Sequence, residues 1–212
     1  MSRMGIRPLI ASGYTDGASS ASREHALEWS PAGMATVTGG KLTAYRAIAA
    51  GVVDALLQRL GRPAVSCTTD RVALPGGDIP SLEATLARAR ATIADAAVAE
   101  RLVMAHGSAW ERVWLRGEGE PRLRERIIPE LPYIFAEIPH AVEEEHACSL
   151  ADVLIRRTHI AFETDDNGRA AARRVAPVIA PFLGWTVSAI DRELEAYGAE
   201  ARRIFSVDAA DS

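Results

Sequence analysis

A chain of 212 residues with 48% apolar and 25% charged residues can bury one core, or one domain plus part of another. That composition excludes a wholly disordered chain, a collagen-like chain and a polar tail. The net charge of −4 argues against generic nucleic-acid binding, and no run approaches the roughly 18 consecutive apolar residues that span a bilayer. The N-terminus carries no apolar signal-peptide core. Cys67 and Cys148 form neither a CxxC pair nor a disulfide framework, so a reducing, cytoplasmic setting is expected.

Charge is unevenly distributed. Residues 1–63 hold seven basic and four acidic residues, a balance of +3, whereas the rest hold 17 against 24, a balance of −7. An anionic ligand would sit more naturally with the first third. Of the 24 basic residues 23 are arginine, and the one lysine is Lys41. A compact ammonium on a flexible stem differs from a planar fork, so a tight site can tell them apart. That marks Lys41 as a functional candidate.

In chain order, residues 1–33 read as loops and short strands, with apolar runs at Ile6–Ile10 and Ala26–Trp29. Met34–Thr38 reads as a strand ending at Gly39-Gly40. From Leu42 the period changes: Tyr45, Ile48, Ala49, Val52, Val53, Leu56, Leu57 and Leu60 keep the spacing of an amphipathic helix, which Gly61 and Pro63 stop. Residues 64–80 form a linker with a turn at Pro75-Gly76-Gly77.

Beyond Ser81 the chain reads as helix. Ser81 caps a helix expected to run to about His106, and a short helix follows at Ser108–Leu115 with Trp110 and Trp114. Ser149–Asp152 resembles a capping box. Helices at Arg169–Leu183 and Val187–Phe205 close the chain. Pro177 and Pro181 should kink the first of these or shift its start, since an interior proline costs about 3 kcal/mol. The expected fold is mostly α: an incomplete α/β segment of a larger domain over 1–63, a linker over 64–80 and a helical domain over 81–212. A strand and one helix cannot bury both faces without more sheet.

The strongest local constellation is Thr38-Gly39-Gly40-Lys41-Leu42-Thr43. A helix N-terminus with free N–H groups favours an anion, two glycines allow close backbone approach, and Lys41 and Thr43 add a charge and a hydroxyl. A phosphate-binding P-loop would need Gly at 35 and Ser or Thr at 42, where Ala35 and Leu42 stand, so that reading fails. A plain strand-to-helix turn with a solvated lysine stays open beside the ligand site. Arg7, extended by Pro8, and Arg23 are further cations that suit a phosphate or serve as ordinary surface arginines. His140, His146 and Cys148 do not converge on one helix face, so no metal site is expected and each histidine reads as structural. The Glu143–Glu145 run reads as a solvated face, and Arg156-Arg157 as partners for acids across a domain interface. No nucleophile elbow, Cys/His dyad or Gly-x-Gly-x-x-Gly is present.

Arg7-Pro8-Leu9, Ser22–His25, Gly39–Arg46, Leu74–Gly77, His106–Ser108, Leu150–Thr158 and Gly184-Trp185 follow one another in an order that resembles the C-terminal portion of FAD-dependent glycerol-3-phosphate dehydrogenases. The resemblance covers essentially the whole chain. It implies oxidation of sn-glycerol 3-phosphate to dihydroxyacetone phosphate, with a hydride passing to FAD and electrons to a quinone or oxygen. It further implies Arg7, Arg23 and Lys41 as substrate-binding residues, Lys41 as the catalytic one, and Gly39, Gly40, Leu42 and Thr43 as flavin-binding. The family pattern has threonine where this chain has Ala44. The dinucleotide-binding turn that holds the FAD pyrophosphate is absent, so FAD would require a missing N-terminal domain.

Three expectations follow. The chain is a fragment inactive alone, or it completes a separately encoded flavin half, or it is a non-catalytic helical interaction module. Family members often lie on the inner face of the membrane, which would make the chain cytoplasmic or peripheral there.

Overall fold

The structure, a computed structural model, describes residues 25–206, so Arg7 and Arg23 lie outside the described residues. The chain divides into two compact units between Ala73 and Leu74.

The first unit begins with an antiparallel hairpin, β1 (His25–Trp29) and β2 (Ala35–Gly39), with His25 opposite Gly39 and Trp29 opposite Ala35. Ser30 closes the loop twice: its carbonyl accepts the Gly33 N–H and its hydroxyl accepts the Met34 N–H at 3.0 Å. A 3-10 turn at Leu42–Ala44 leads into α1 (Tyr45–Arg59). The Arg59 guanidinium lies 4.4 Å from the Trp29 ring centre, fastening the helix end to the hairpin by a cation–π contact. No described residue of this unit is buried. Two strands and one helix offer each apolar side chain one neighbouring layer at most, and Val37, Leu42 and Tyr45 remain exposed.

The second unit is helical, as composition and periodicity suggested, and holds all of the described core. Its helices are α2 (Leu82–Thr92), α3 (Ala96–His106), α4 (Trp110–Leu115), α5 (Glu137–Glu143), α6 (Ile160–Glu163), α7 (Arg169–Leu183) and α8 (Val187–Phe205). The α2/α3, α5/α7 and α7/α8 pairs pack together. Between α4 and α5 the chain makes a 3-10 turn at Pro121–Arg124 and then runs inside the core, with every residue from Tyr133 to His140 buried.

The single helix expected from Ser81 to His106 is two helices. Ser81 does cap the first, accepting the Ala84 N–H at 3.2 Å. The break comes at Ile93, whose backbone turns extended (φ −111°, ψ 113°) while its side chain enters the core. Asp95 then starts α3 by accepting the Ala97 and Val98 N–H groups, and Arg126 holds its carboxylate with two hydrogen bonds of 2.8 Å. A cap fixed by a long-range ion pair outcompetes uninterrupted helical periodicity.

The turn at Leu74–Gly77 is fastened to the α3–α4 junction. Gly76 O accepts the Ser108 N–H at 2.9 Å, and the Asp78 carboxylate accepts the Ser108 hydroxyl. The backbones meet so closely that a Cβ at Gly107, where φ is +55°, would lie 1.8 Å from Gly76 O.

At Ser149–Asp152 the box is rearranged. The Asp152 carboxylate accepts the Cys148 N–H at 3.0 Å and the Ser149 hydroxyl at 2.9 Å, while Ser149 Oγ accepts the Asp152 N–H. The segment that follows, Asp152–Arg157, is a π-helical turn, closed where the Thr158 N–H and hydroxyl both donate to Val153 O at 2.8 Å. α7 runs from Arg169 to Leu183 through Pro177 and Pro181, without the shifted start expected. Both prolines lie on its exposed face, where water can satisfy the carbonyls they leave free.

Two outcomes are expected. Gly107→Ala should lower unfolding stability by more than about 3 kcal/mol, because backbone must move and a non-glycine residue is strained there. Gly198→Ala, in the open flank of α8, should be neutral or stabilising by up to about 1 kcal/mol. Thermal melts of both variants check this.

The Asp152 carboxyl is held below its ordinary value. Burial opposes this but is outweighed by the Cys148 N–H, the Ser149 hydroxyl, the Cys148 thiol and Arg156. The unfolded chain therefore takes up this proton first, and the stabilisation is present above the ordinary aspartate range of about 4 and fades below it. Asp152→Asn should destabilise at pH 7 by about 1–2 kcal/mol. It should also flatten the loss of denaturation midpoint between about pH 5 and about pH 3.

Candidate functional site

The segment from Gly39 to Thr43 leaves β2 and enters α1 through two residues of positive φ, Gly39 at +73° and Gly40 at +90°. A Cβ at Gly40 would lie 2.7 Å from Ile48 Cδ1 and 3.5 Å from His25 Cβ. That glycine therefore lets α1 pack over the end of the hairpin. Lys41 is extended (φ −96°, ψ 138°), and its carbonyl accepts the Ala44 N–H at 2.9 Å, which tightens the turn into 3-10 geometry. The expected clean α-helical N-terminus at Leu42 is thus a 3-10 turn, with α1 proper starting at Tyr45.

These residues border a shallow groove of about 560 Å³ lined by Val37, Gly39–Leu42, Tyr45, Ile48, Ala49 and Val52. Lys41 is its one charged lining residue. The groove thus pairs largely apolar walls with one lysine. Gly39, Gly40, Lys41 and Leu42 are brought together here, while Thr43 is exposed and is not among the lining residues. Arg7 and Arg23 are not among the described residues.

A second constellation lies in the helical unit, and sequence reasoning missed it. Glu137, 3% exposed, accepts the Ile134 N–H at 3.1 Å through Oε2 and pairs through Oε1 with Arg101 at 3.1 Å. His106 Nε2 lies 3.4 Å from the same Oε1 and donates to it. On the other side of that ring, Nδ1 faces Glu145 Oε1 at 3.9 Å, and His140 Nε2 faces the same oxygen at 3.8 Å. The two imidazoles meet edge to face, 4.8 Å between centres. Arg157 Nε holds the other Glu145 oxygen at 3.1 Å. Burial first, then the neighbouring His106 and Arg116, pull the His140 pKa down to about 4, so His140 is a neutral imidazole near pH 7. Its Nδ1 is buried without a hydrogen-bond partner.

This cluster bears on three expectations. In the Glu143–Glu145 run, Glu143 and Glu144 are exposed as expected, Glu143 paired with Arg116 and Glu144 with Arg112 and Arg116, whereas half-buried Glu145 is held by Arg157. Arg156 and Arg157 find their acids within the helical unit, Arg156 with Asp152 and Glu200. His140 is joined by His106 and Glu145, while His146 is exposed and Cys148 is engaged with Asp152. The only sequence signals were His106 beside Gly107 and Arg157 in a double arginine. His106 and Glu137 stand more than thirty positions apart, which leaves no spacing to read between them.

Residues 67–190 match the family described as the C-terminal domain of alpha-glycerophosphate oxidase. Glycerol-3-phosphate dehydrogenase 2 of Mycobacterium tuberculosis is 36% identical over 197 residues, which are 91% of this chain and 33% of that protein. Glycerol-3-phosphate dehydrogenase of Synechocystis is 34% identical over 201 residues, 91% of this chain and 36% of that protein. The mitochondrial glycerol-3-phosphate dehydrogenase of Bos taurus is 30% identical over 197 residues, 90% of this chain and 27% of that protein. The chain spans about a third of the length of the curated relatives it matches. With more than half of its residues under the family match, the chain belongs to the family of the alpha-glycerophosphate oxidase C-terminal domain.

Proposed function

We propose that this chain is the C-terminal part of an FAD-dependent glycerol-3-phosphate dehydrogenase, which oxidises sn-glycerol 3-phosphate to dihydroxyacetone phosphate and passes the electrons to a quinone or oxygen. The observation that carries this reading is the match of nine-tenths of the chain to proteins named for that reaction. The groove at Gly39–Leu42 supports it, because an apolar wall with one ammonium suits the ring end of a flavin and an anionic substrate.

A bound flavin would supply the acceptor for the hydride leaving carbon 2 of the substrate. The chain's own residues have simpler tasks. Gly39 and Gly40 would leave room for a ring beside the backbone, and Leu42 and Tyr45 would exclude water along the groove. The Lys41 ammonium attracts and orients an anion and favours negative charge that develops beside it. Arg7 and Arg23 bind the substrate phosphate as guanidinium forks. Thr43 adds a hydroxyl to the flavin-binding segment.

The FAD pyrophosphate needs a glycine-rich turn that these 212 residues do not contain, so the chain alone does not turn over and works with an N-terminal flavin half. A quinone acceptor would bring the assembled enzyme to the inner face of the membrane; among the described residues no helix is long and apolar enough to cross one. The alternative, a non-catalytic helical module, draws on the helical unit having a core entirely of its own.

The test is the visible spectrum of the chain with FAD, alone and mixed with the N-terminal portion of the M. tuberculosis relative. Bound flavin bleached by sn-glycerol 3-phosphate is expected in the mixture only. Lys41→Met should slow the bleaching by about 100-fold at unchanged flavin content, with Lys41→Arg recovering only part because its fork is a different shape. Undiminished bleaching in Lys41→Met removes Lys41 from the site. A mixture without bound flavin favours the module instead, and bleaching by the chain alone shows that the missing half is dispensable.

A further inference from the structure

The cluster around His106, His140 and Glu145 contains a gap that its own hydrogen bonds do not fill. Donor atoms of the three residues all lie within 4.8 Å of one another. Separations of 3.8 and 3.9 Å from Glu145 Oε1 to the two imidazoles exceed any hydrogen bond. Two of the three donors are nevertheless aimed by a partner on the far side. His106 Nε2–H donates to Glu137, which Arg101 and the Ile134 N–H hold in place, so the lone pair is on Nδ1 and faces Glu145. Arg157 occupies Glu145 Oε2 and leaves Oε1 turned toward the imidazoles. His140 Nδ1 has no partner in the protein, so nothing but this centre can engage its ring, whose side chain is 6% exposed.

With the ring protons on His106 Nε2 and His140 Nδ1, three electron-pair donors face one another across this centre, and a cation between them relieves their repulsion. A proton can bridge only two groups at a time, and at shorter range. A cation at the middle would be about 2.5 Å from each donor, against about 2.0–2.2 Å in an occupied zinc site, so shifts of a few tenths of an ångström close the geometry.

We propose that His106, His140 and Glu145 bind a single zinc-class divalent cation, with water as the fourth ligand, which clips the end of α3 to α5 and to the loop after it. Two imidazoles and one carboxylate select a borderline cation such as Zn2+ over Mg2+ or Ca2+, which prefer oxygen. The Glu137–His106 bond supplies the carboxylate–imidazole orientation typical behind a metal-bound histidine. Four arginines stand around the cluster, and each is already paired with a carboxylate: Arg101 with Glu137, Arg157 with Glu145, Arg116 with Glu143, and Arg112 with Glu144. Glu145, about one-third exposed, gives the ion a way in.

The test uses the full chain stripped with EDTA and titrated with Co2+, then Zn2+, in the visible and by thermal melting. The expected result is one equivalent of Co2+ with the strong visible bands of tetrahedral coordination, displaced by Zn2+, and a melting point that rises with Zn2+. His140→Gln and Glu145→Gln should each weaken Co2+ binding at least about tenfold. His146→Gln, exposed and outside the cluster, should leave it unchanged. Histidine nitrogen NMR of the unaltered chain reads the same site without any variant: Zn2+ should shift one ring nitrogen each of His106 and His140. Absence of visible bands and of nitrogen shifts in the unaltered chain overturns the proposal, as does equal binding by folded His140→Gln and Glu145→Gln. In either case the cluster is an ion-pair network only.

Discussion

One buried carboxylate organises the helical unit. Glu137 lies in a stretch with no exposed residue, and an unpaired charge there would be prohibitive. It is tolerated because a backbone N–H, a guanidinium and an imidazole converge on it from two directions. Arg101 and His106 both come from α3, so satisfying Glu137 fixes how α3 lies against α5. The demand passes outward from there. Arg101 also lies over the Tyr133 ring at 4.6 Å and donates to Arg157 O at 3.3 Å, and Arg157 in turn holds Glu145. Loss of one partner from such a buried pair typically costs about 3–5 kcal/mol, mostly by leaving the other charge alone.

The parts of the fold that local rules govern were legible. α7 and α8 span the expected Arg169–Leu183 and Val187–Phe205, and the change of period after β2 marked α1. What could not be read depends on partners distant in sequence. Nothing local distinguishes Asp95 from an ordinary helical residue until Arg126 arrives to hold it as a cap. The same is true of Glu145, which looked like one of three solvated acids and is instead turned inward by Arg157. For the candidate site, the glycines and the one lysine were conspicuous in sequence, but the reason for Gly40 was hidden: the helix that follows packs against it.

The two units divide the physical labour. The helical unit has a core complete enough to hold buried charge, while the hairpin and α1 have none and carry a lysine-edged groove on a surface that is largely apolar. A binding face of that kind is expensive to keep in water, and it is economical only where a ligand or further chain covers it. This asymmetry agrees with a family whose relatives are about three times as long as this chain.

The π-helical turn at Asp152–Arg157 adds a geometric consequence. Compared with an α-helical turn, it accommodates one additional residue, and each residue of a regular helix advances by about 100°. Within it Arg156 is directed to Asp152 and Glu200, and Arg157 to Glu145 and its carbonyl. A related sequence shorter by one residue in this stretch would keep its helix but rotate everything downstream by most of a third of a turn. Arg156 and Arg157 would then be turned away from Asp152 and Glu145, so the length of this segment is as much a part of the charge network as the residues themselves.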